Sequence, residues 1–275
     1  VDDEGIGIVS VSPLKKDGGV RVRAGNPKRK PIVTQIGSVC SQLVLPVADP
    51  DDPTSQVVGV KERVLRAPPQ ADPKLFADFK VFVSTWLDKH LHDVEPFTPF
   101  KHDMFDELDF NKWIEDARYP SVRKEMLRTE YAKGPDPRTW CRCLSFIKRE
   151  FYVEFKDPRT INSRVDNYKV FAGPWISAIE KDFTQRCKSF VKGMTPQERA
   201  EAAYERVRGA ALMFNTDFSR YESQMTSEVI RDIECQLYRR YGMPEELLAP
   251  LYGVNQCSMT GCSYHVRGTR MSGDM

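Results

Sequence analysis

Apolar positions recur along this chain with two periods, and the changes between them divide it into regions. Between residues 73 and 133 the period is helical: Phe76, Phe79, Phe82, Val83, Trp86 and Leu87 fall three and four apart, on one stripe of an amphipathic helix. Pro96 and Pro99 interrupt that pattern, and shorter helices are expected at about 103–116 and 121–132, the second with Ser121 as its N-cap. After Gly134-Pro135-Asp136-Pro137 the period becomes two. From Ile147 to Lys156, Ile147, Phe151, Val153 and Phe155 point one way, while Lys148, Glu150, Tyr152, Glu154 and Lys156 point the other, with Arg149 out of phase. Such alternation predicts a strand with one buried face and one charge-bearing face. Asp157-Pro158 then turns the chain, and Arg159–Arg164 reads as the return segment.

Helical spacing resumes at Trp175, Ile176, Ile179, Phe183 and Phe190, which predicts a helix over 170–192. Thr195-Pro196-Gln197-Glu198 opens another, with Thr195 as N-cap, Pro196 in the first turn and Glu198 completing a capping box. That helix should end near Gly209, where the apolar run Ala210–Phe214 reads as a strand leading into Asn215-Thr216-Asp217-Phe218-Ser219-Arg220-Tyr221-Glu222. Val229, Ile230, Ile233, Leu237, Tyr238 and Tyr241 form the buried stripe of a further helix, closed by Gly242 and Pro244. A short helix should start at Pro244-Glu245-Glu246, and residues 254–267 read as a β-hairpin with Gly261 near its turn. Residues 1–72 are different in texture. Gly and Pro clusters punctuate short β-like runs at Val39–Val47 and Val57–Leu65, as expected of extended chain draped over a body.

Composition narrows the class without naming a function. The 275 residues are 40% hydrophobic and 29% charged, enough apolar material for one large domain or two of medium size. No apolar run reaches the ~18 residues that a membrane-crossing helix needs. The acidic start, Val1-Asp2-Asp3-Glu4, lacks the apolar region of a signal peptide, and a start without Met suggests a piece of something longer or a processed product. Cysteines 40, 141, 143, 187, 235, 257 and 262 show no zinc-like spacing, and Cys141 and Cys143 would share one strand face. Reduced, structural thiols in a cytoplasmic setting are expected. Net charge is only +2, which gives no global pull toward nucleic acid. Residues 15–30 carry seven Lys/Arg against Asp17, a stretch that reads as a flexible linker; residues 138–169 carry eight Lys/Arg against four acids.

Two places could carry chemistry. Lys148, Lys156, Arg159 and Arg164 fall on the two strand segments, so they could fix several cations beside a triphosphate; equally, Glu150 and Glu154 could make the same hairpin a salt-bridged one. Asp217 and Glu222, five apart at a strand end, could hold a hard cation beside a substrate, or Asp217 could cap the next element while Glu222 is solvated.

The order of these segments carries more than any one of them. Phe146-Ile147-Lys148-Arg149-Glu150 through Pro158-Arg159-Thr160-Ile161-Asn162-Ser163-Arg164, then Asp217-Phe218-Ser219-Arg220-Tyr221-Glu222, then Gly268-Thr269-Arg270-Met271-Ser272-Gly273-Asp274-Met275 resemble motifs F, A and B of viral RNA polymerases. The chain resembles the RNA-dependent RNA polymerases of positive-strand RNA viruses, nearest to the tombusvirus-like group, over about 140–275 and more loosely from 57. The resemblance implies an α+β right-hand fold, truncated to the fingers and the first part of the palm. Residues 1–70 would be an N-terminal extended region packing on the fingers, 71–208 the fingers with motif F at 146–164, and 209–275 a partial palm.

It also implies roles. Asp217, with the backbone carbonyl of Phe218, would bind the catalytic Mg²⁺ or Mn²⁺ that serves nucleotidyl transfer from ribonucleoside triphosphates to a 3′-hydroxyl. Glu222 stands where the family has an aspartate that helps recognise the ribose 2′-hydroxyl, and it reaches one methylene further. Ser272 and Gly273 match the loop that reads the nucleotide's sugar and supports the template base. Lys148, Lys156, Arg159 and Arg164 match the cationic wall over the triphosphates. RNA template and nascent strand would be the partners, with other viral replication proteins, in the host cytoplasm at membrane-associated replication complexes. No Gly-Asp-Asp, the family's motif C, occurs in the sequence, so this chain alone is expected to be inactive. The other classes are a non-catalytic RNA-binding segment and a metal-dependent nuclease using Asp217 and Glu222.

Overall fold

The computed structural model describes residues 7–9, 18–22, 49–68, 70–97, 110–150, 156–187, 189–214, 216, 218 and 220–272. Helices and one sheet are mixed along the chain, an α+β arrangement. In order come β1 (Gly7–Val9), β2 (Gly18–Val22), α1 (Pro53–Gly59), α2 (Pro73–His90), α3 (Phe110–Asp116) and α4 (Ser121–Ala132). Then follow β3 (Arg142–Ile147), β4 (Thr160–Arg164), α5 (Asp166–Arg186), α6 (Pro196–Val207) and α7 (Tyr221–Gln224). The last are α8 (Ser227–Val229), α9 (Cys235–Arg240), α10 (Glu245–Tyr252), β5 (Val254–Ser258) and β6 (Cys262–Arg267). The strands lie in the order β1-β2-β6-β5-β3-β4, with β3 and β5 parallel and every other neighbouring pair antiparallel.

Alternation sets the sheet's two faces. Cys143, Ser145 and Ile147 of β3 are buried and Arg142, Leu144 and Phe146 are exposed, as a period of two requires. The buried face packs on Val60, Val64, Leu65 and Met271, with Cys257, Cys262, Tyr264 and Val266 from β5 and β6 completing that core. A second, larger core joins α2, α5, the 227–240 helix and α10 through Leu87, Trp175, Ile179, Ile230, Tyr241 and Leu248.

Several expectations needed correcting, each for a local reason. Val57–Leu65 is helical, not β-like: Asp52 caps α1 by accepting from the N–H groups of Thr54 (3.3 Å) and Ser55 (2.7 Å), and Pro53 sits in the first turn. A π-helical turn, Val60–Val64, continues it and buries Val60 and Val64 against the sheet. The other β-like run, Val39–Val47, lies outside the described residues. The strand expected at Ile147–Lys156 begins earlier, at Arg142, and ends at Ile147; residues 151–155 lie outside the described residues. Ser121 is the first residue of α4, whose cap is Pro120, and α5 runs over 166–186, leaving Phe190 to pack edge-on against Phe183 at 5.7 Å. Cys141 lies in a turn ahead of β3, so it shares no strand face with Cys143, and no disulfide joins the described cysteines.

The largest departure is Ala210–Phe214. No strand forms there, and Leu212, Met213 and Phe214 are 71%, 68% and 83% exposed. Among the described residues no strand of the sheet pairs with this segment, so its backbone lacks the ladder that would make it a strand. By contrast the capping box at Thr195 and Glu198, the hairpin at 254–267, and the left-handed Gly242 closing the 227–240 helix (φ 80°) all appear where the sequence places them. That helix includes a π turn over Ile230–Glu234. None of the described helices is long and apolar enough to cross a membrane.

Candidate functional site

The site is organised around the β3–β4 hairpin. Its ladder runs from Cys143 opposite Arg164 to Ile147 opposite Thr160, and one further bond, from Lys148 N–H to the Arg159 carbonyl at 2.8 Å, carries it into the turn. Lys148 and Arg159 therefore stand across from one another where the strands end. Both side chains are exposed, and the Glu150 carboxylate bridges them, pairing with Lys148 Nζ and with Arg159 Nη1 at 3.4 Å. Ion pairs this exposed contribute about 0–1 kcal/mol each. Glu150 thus holds two cations side by side without locking them, and a phosphate carrying more negative charge could take its place. Arg149 and Lys156 are also exposed.

Arg164 is elsewhere. Five residues along an extended strand separate it from Arg159 by about 16 Å at ~3.3 Å per residue, and it belongs to the buried face with Thr160 and Asn162. Only 2% exposed, it donates from Nη1 to Asn255 Oδ1 (2.7 Å) and the Trp140 carbonyl (3.3 Å), and from Nη2 to the Pro250 carbonyl (3.0 Å). Its guanidinium also lies over the Tyr168 ring, 5.0 Å from the centroid. The single neighbourhood expected for Lys148, Lys156, Arg159 and Arg164 is therefore split, with Arg164 in the interior at the far end of the strand.

The free edge of β4 meets the chain's last described residues. Ser272 Oγ accepts from the Asn162 N–H (2.9 Å) and donates to the Thr160 carbonyl (3.2 Å), so this hydroxyl satisfies two backbone groups on the strand. Met271 is fully buried beneath the sheet, and the buried Thr269 hydroxyl donates to the Val64 carbonyl at 3.4 Å. Gly268 makes the approach possible: its φ is 53°, and a Cβ there would run into the backbone of Ser227. Arg270 ion-pairs with Glu234 of the π turn. Gly273 lies outside the described residues.

Asp217 lies outside the described residues too, with Asn215 and Ser219. Its neighbours are placed. Phe218 is exposed and meets Tyr221 edge-on at 6.1 Å, and Glu222 is half-buried on α7. Arg220, between them, is the one non-glycine of positive φ among the described residues, at φ 53° and ψ 49°. A left-handed conformation costs a residue with a Cβ about 1–2 kcal/mol. It is offset here by three interactions: the Arg220 carbonyl accepts from Ser223 N–H (3.0 Å) and Ser223 Oγ (2.9 Å), and the guanidinium pairs with Asp157. The Asp157 carbonyl in turn accepts from Arg63 Nη2 at 3.2 Å. The Asp157-Pro158 stretch ahead of β4 is thereby tied to the segment that carries the acids.

The Asp157–Arg220 pair was not foreseeable: Asp157 reads in sequence as a turn residue, and a separation of 63 residues follows no local spacing rule. Among the described residues no three His, Cys, Asp or Glu side chains stand together as a metal cluster. No protein-family model and no curated protein matches this chain.

Proposed function

We propose that this chain is the fingers and the first part of the palm of an RNA-directed RNA polymerase, in a right-hand fold. One observation carries the reading: three segments far apart in sequence converge on a single hairpin. Lys148 and Arg159 face each other across it, Ser272 is hydrogen-bonded to its outer strand, and Arg220 binds Asp157 ahead of that strand, from within the Asp217–Glu222 segment. These are the segments that resemble motifs F, B and A.

In this reading Lys148 and Arg159, with Lys156, contact the triphosphate of the incoming ribonucleotide, and Glu150 is the counter-ion they exchange for phosphate. Arg164 supports the hairpin from inside and does not touch the nucleotide. Ser272 fixes the loop beside the sugar, and Glu222 accepts from the ribose 2′-hydroxyl. The Asp217 carboxylate and the Phe218 carbonyl are hard oxygen donors of the kind that Mg²⁺ or Mn²⁺ prefers. A metal held by these two oxygens would supply charge stabilisation for in-line displacement at the α-phosphate. The remaining carboxylates of such a site have no counterpart in a Gly-Asp-Asp of this sequence, so the isolated chain is proposed to bind RNA and nucleotide without joining them.

The test uses two proteins: the 275-residue chain, and protein from the same reading frame continued beyond Met275. Labelled ribonucleotide should be incorporated on an RNA template by the longer protein alone. Lys148→Ala with Arg159→Ala should raise its KM for nucleotide about tenfold or more, while Arg164→Lys should leave KM within a factor of about two. Template-dependent synthesis by the 275-residue chain itself would overturn the incomplete site, and an unchanged KM in the double variant would overturn the role of the hairpin. Shortening of the RNA would favour a nuclease.

A further inference from the structure

The ion pair between Arg220 and Asp157 joins the two stretches that the proposed reading assigns to the sugar and to the triphosphate. Asp157 is two residues before Arg159, and Arg220 is two residues before Glu222. Consecutive Cα atoms are about 3.8 Å apart, so Arg159 and Glu222 each lie within about 8 Å of their own end of the pair along the backbone. Both partners are themselves held. The Asp157 carbonyl accepts from Arg63 Nη2 at 3.2 Å. Arg63 belongs to the Val60–Val64 π turn, whose Val60 and Val64 are buried against the sheet. Helix α7, which carries Glu222, packs on that same π turn. The Arg220 carbonyl takes two hydrogen bonds from the buried Ser223, from its N–H at 3.0 Å and its Oγ at 2.9 Å.

Arg220 keeps a left-handed backbone, at φ 53° and ψ 49°, where a glycine would sit without strain. Glycine there would leave Asp157 without its cation, so it is the side chain that this position retains against the backbone's preference. Glu222 is half-buried on α7 and makes no hydrogen bond or ion pair among the described residues, so its oxygens are available to a ligand's donor. A hydrogen bond weakens steeply with poor distance and angle. What Glu222 contributes to a bound nucleotide therefore depends on how firmly α7 is held relative to Lys148 and Arg159.

We infer that Arg220, through Asp157, is a positioning residue for sugar discrimination. It sets the separation between Glu222 and the triphosphate contacts, and thereby how strongly a ribonucleotide is preferred to its 2′-deoxy counterpart. The inference rests on the polymerase reading, and on Glu222 as the group that meets the 2′-hydroxyl. A deoxynucleotide offers no donor at that position. Slack between the two stretches therefore weakens ribonucleotide use and leaves deoxynucleotide use nearly as it was. Losing either Asp157 or Arg220 removes the same pair, so either change has the same consequence.

Protein from the reading frame continued past Met275, given UTP or dUTP on an RNA template, tests it through the ratio of the two kcat/KM values. Arg220→Gln and Asp157→Asn should each lower the ratio about tenfold, by slowing UTP use while dUTP use changes by less than about twofold. The double variant should match the single ones, since one interaction is lost in all three. Arg220→Lys, which keeps a cation for Asp157, should retain more of the ratio than Arg220→Gln. Glu222→Ala separates the inference from the reading beneath it. A lowered ratio in Glu222→Ala, with unchanged ratios in Arg220→Gln and Asp157→Asn, would overturn the inference alone. An unchanged ratio in Glu222→Ala, or no synthesis by the longer protein, would overturn the reading and the inference with it. An equal fall for UTP and dUTP in the two pair variants would reduce the pair to a structural tie and also overturn the inference.

Discussion

At one end of the β3–β4 hairpin, Lys148 and Arg159 lie in water with Glu150 between them; at the other, Arg164 is enclosed by Trp140, Tyr168, Pro250 and Asn255. In the sequence the two arginines of this segment look alike, five residues apart on one short basic stretch. Their surroundings give them opposite work. An exposed guanidinium keeps its hydrogen-bonding capacity for a ligand and adds little to stability. A buried one is desolvated, so it must be fully bonded by the protein and the groups around it come to depend on it. One end of the hairpin can therefore exchange its ion-pair partners while the other holds the strand in register.

The largest effect expected from breaking this contrast is at Arg164. Arg164→Met should cost about 3–5 kcal/mol in urea unfolding, because Asn255 Oδ1 and two carbonyls lose a charged donor inside the core. Arg159→Met should change stability by less than about 0.5 kcal/mol. Equal losses at the two positions would erase the distinction. Next comes Gly268→Ala, expected to cost about 2 kcal/mol or more, since a Cβ at φ 53° meets the Ser227 backbone and must push the Ser272 loop from β4. Ser272→Ala should cost about 1–2 kcal/mol by leaving Thr160 and Asn162 backbone groups unsatisfied, and amide exchange should quicken at Asn162.

The smallest effect concerns pH. Burial pushes the Asp166 carboxyl up, but the hydrogen bonds and charge of Arg123, with Lys169 adding to them, outweigh it and hold the folded pKa below the ordinary aspartate range. A carboxylate with a depressed folded pKa stabilises the fold above its unfolded value, and that contribution disappears as pH falls through the folded one. Urea midpoints followed downward from about pH 5 should therefore fall less steeply in Asp166→Asn than in wild type. Identical slopes would mean that the pair beside Lys169 does not hold this end of the hairpin.

How much of this was legible follows the reach of each signal. The capping box at Thr195 and Glu198 was readable because cap and partner are three residues apart. The 254–267 hairpin was readable because alternation and a glycine turn sit in one window. Val57–Leu65 misled because apolar residues cluster there without clean periodicity, and what decides for a helix is Asp52 and Pro53 just upstream. Ala210–Phe214 misled because apolarity alone does not supply a neighbouring strand. Among the candidate site residues, the pairing of Lys148 with Arg159 followed from the hairpin, whereas the burial of Arg164 depended on Asn255, 91 residues away. Glu222 and Ser272 were placed by chain segments whose contacts are also remote in sequence: Arg220 on Asp157, and Gly268 on Ser227.

The central claim is that the Asp217 segment performs chemistry on a ribonucleotide held at this hairpin. Primer extension on an RNA template, with protein from the reading frame continued past Met275, tests it most directly when Asp217→Ala is measured alongside RNA affinity at several salt concentrations. The account expects synthesis to fall by a factor of about 10³ or more, the scale at which transition-state charge stabilisation is lost, with RNA affinity and its salt dependence unchanged. Synthesis at the wild-type rate in Asp217→Ala, or a loss of synthesis matched by an equal loss of RNA binding, would contradict it.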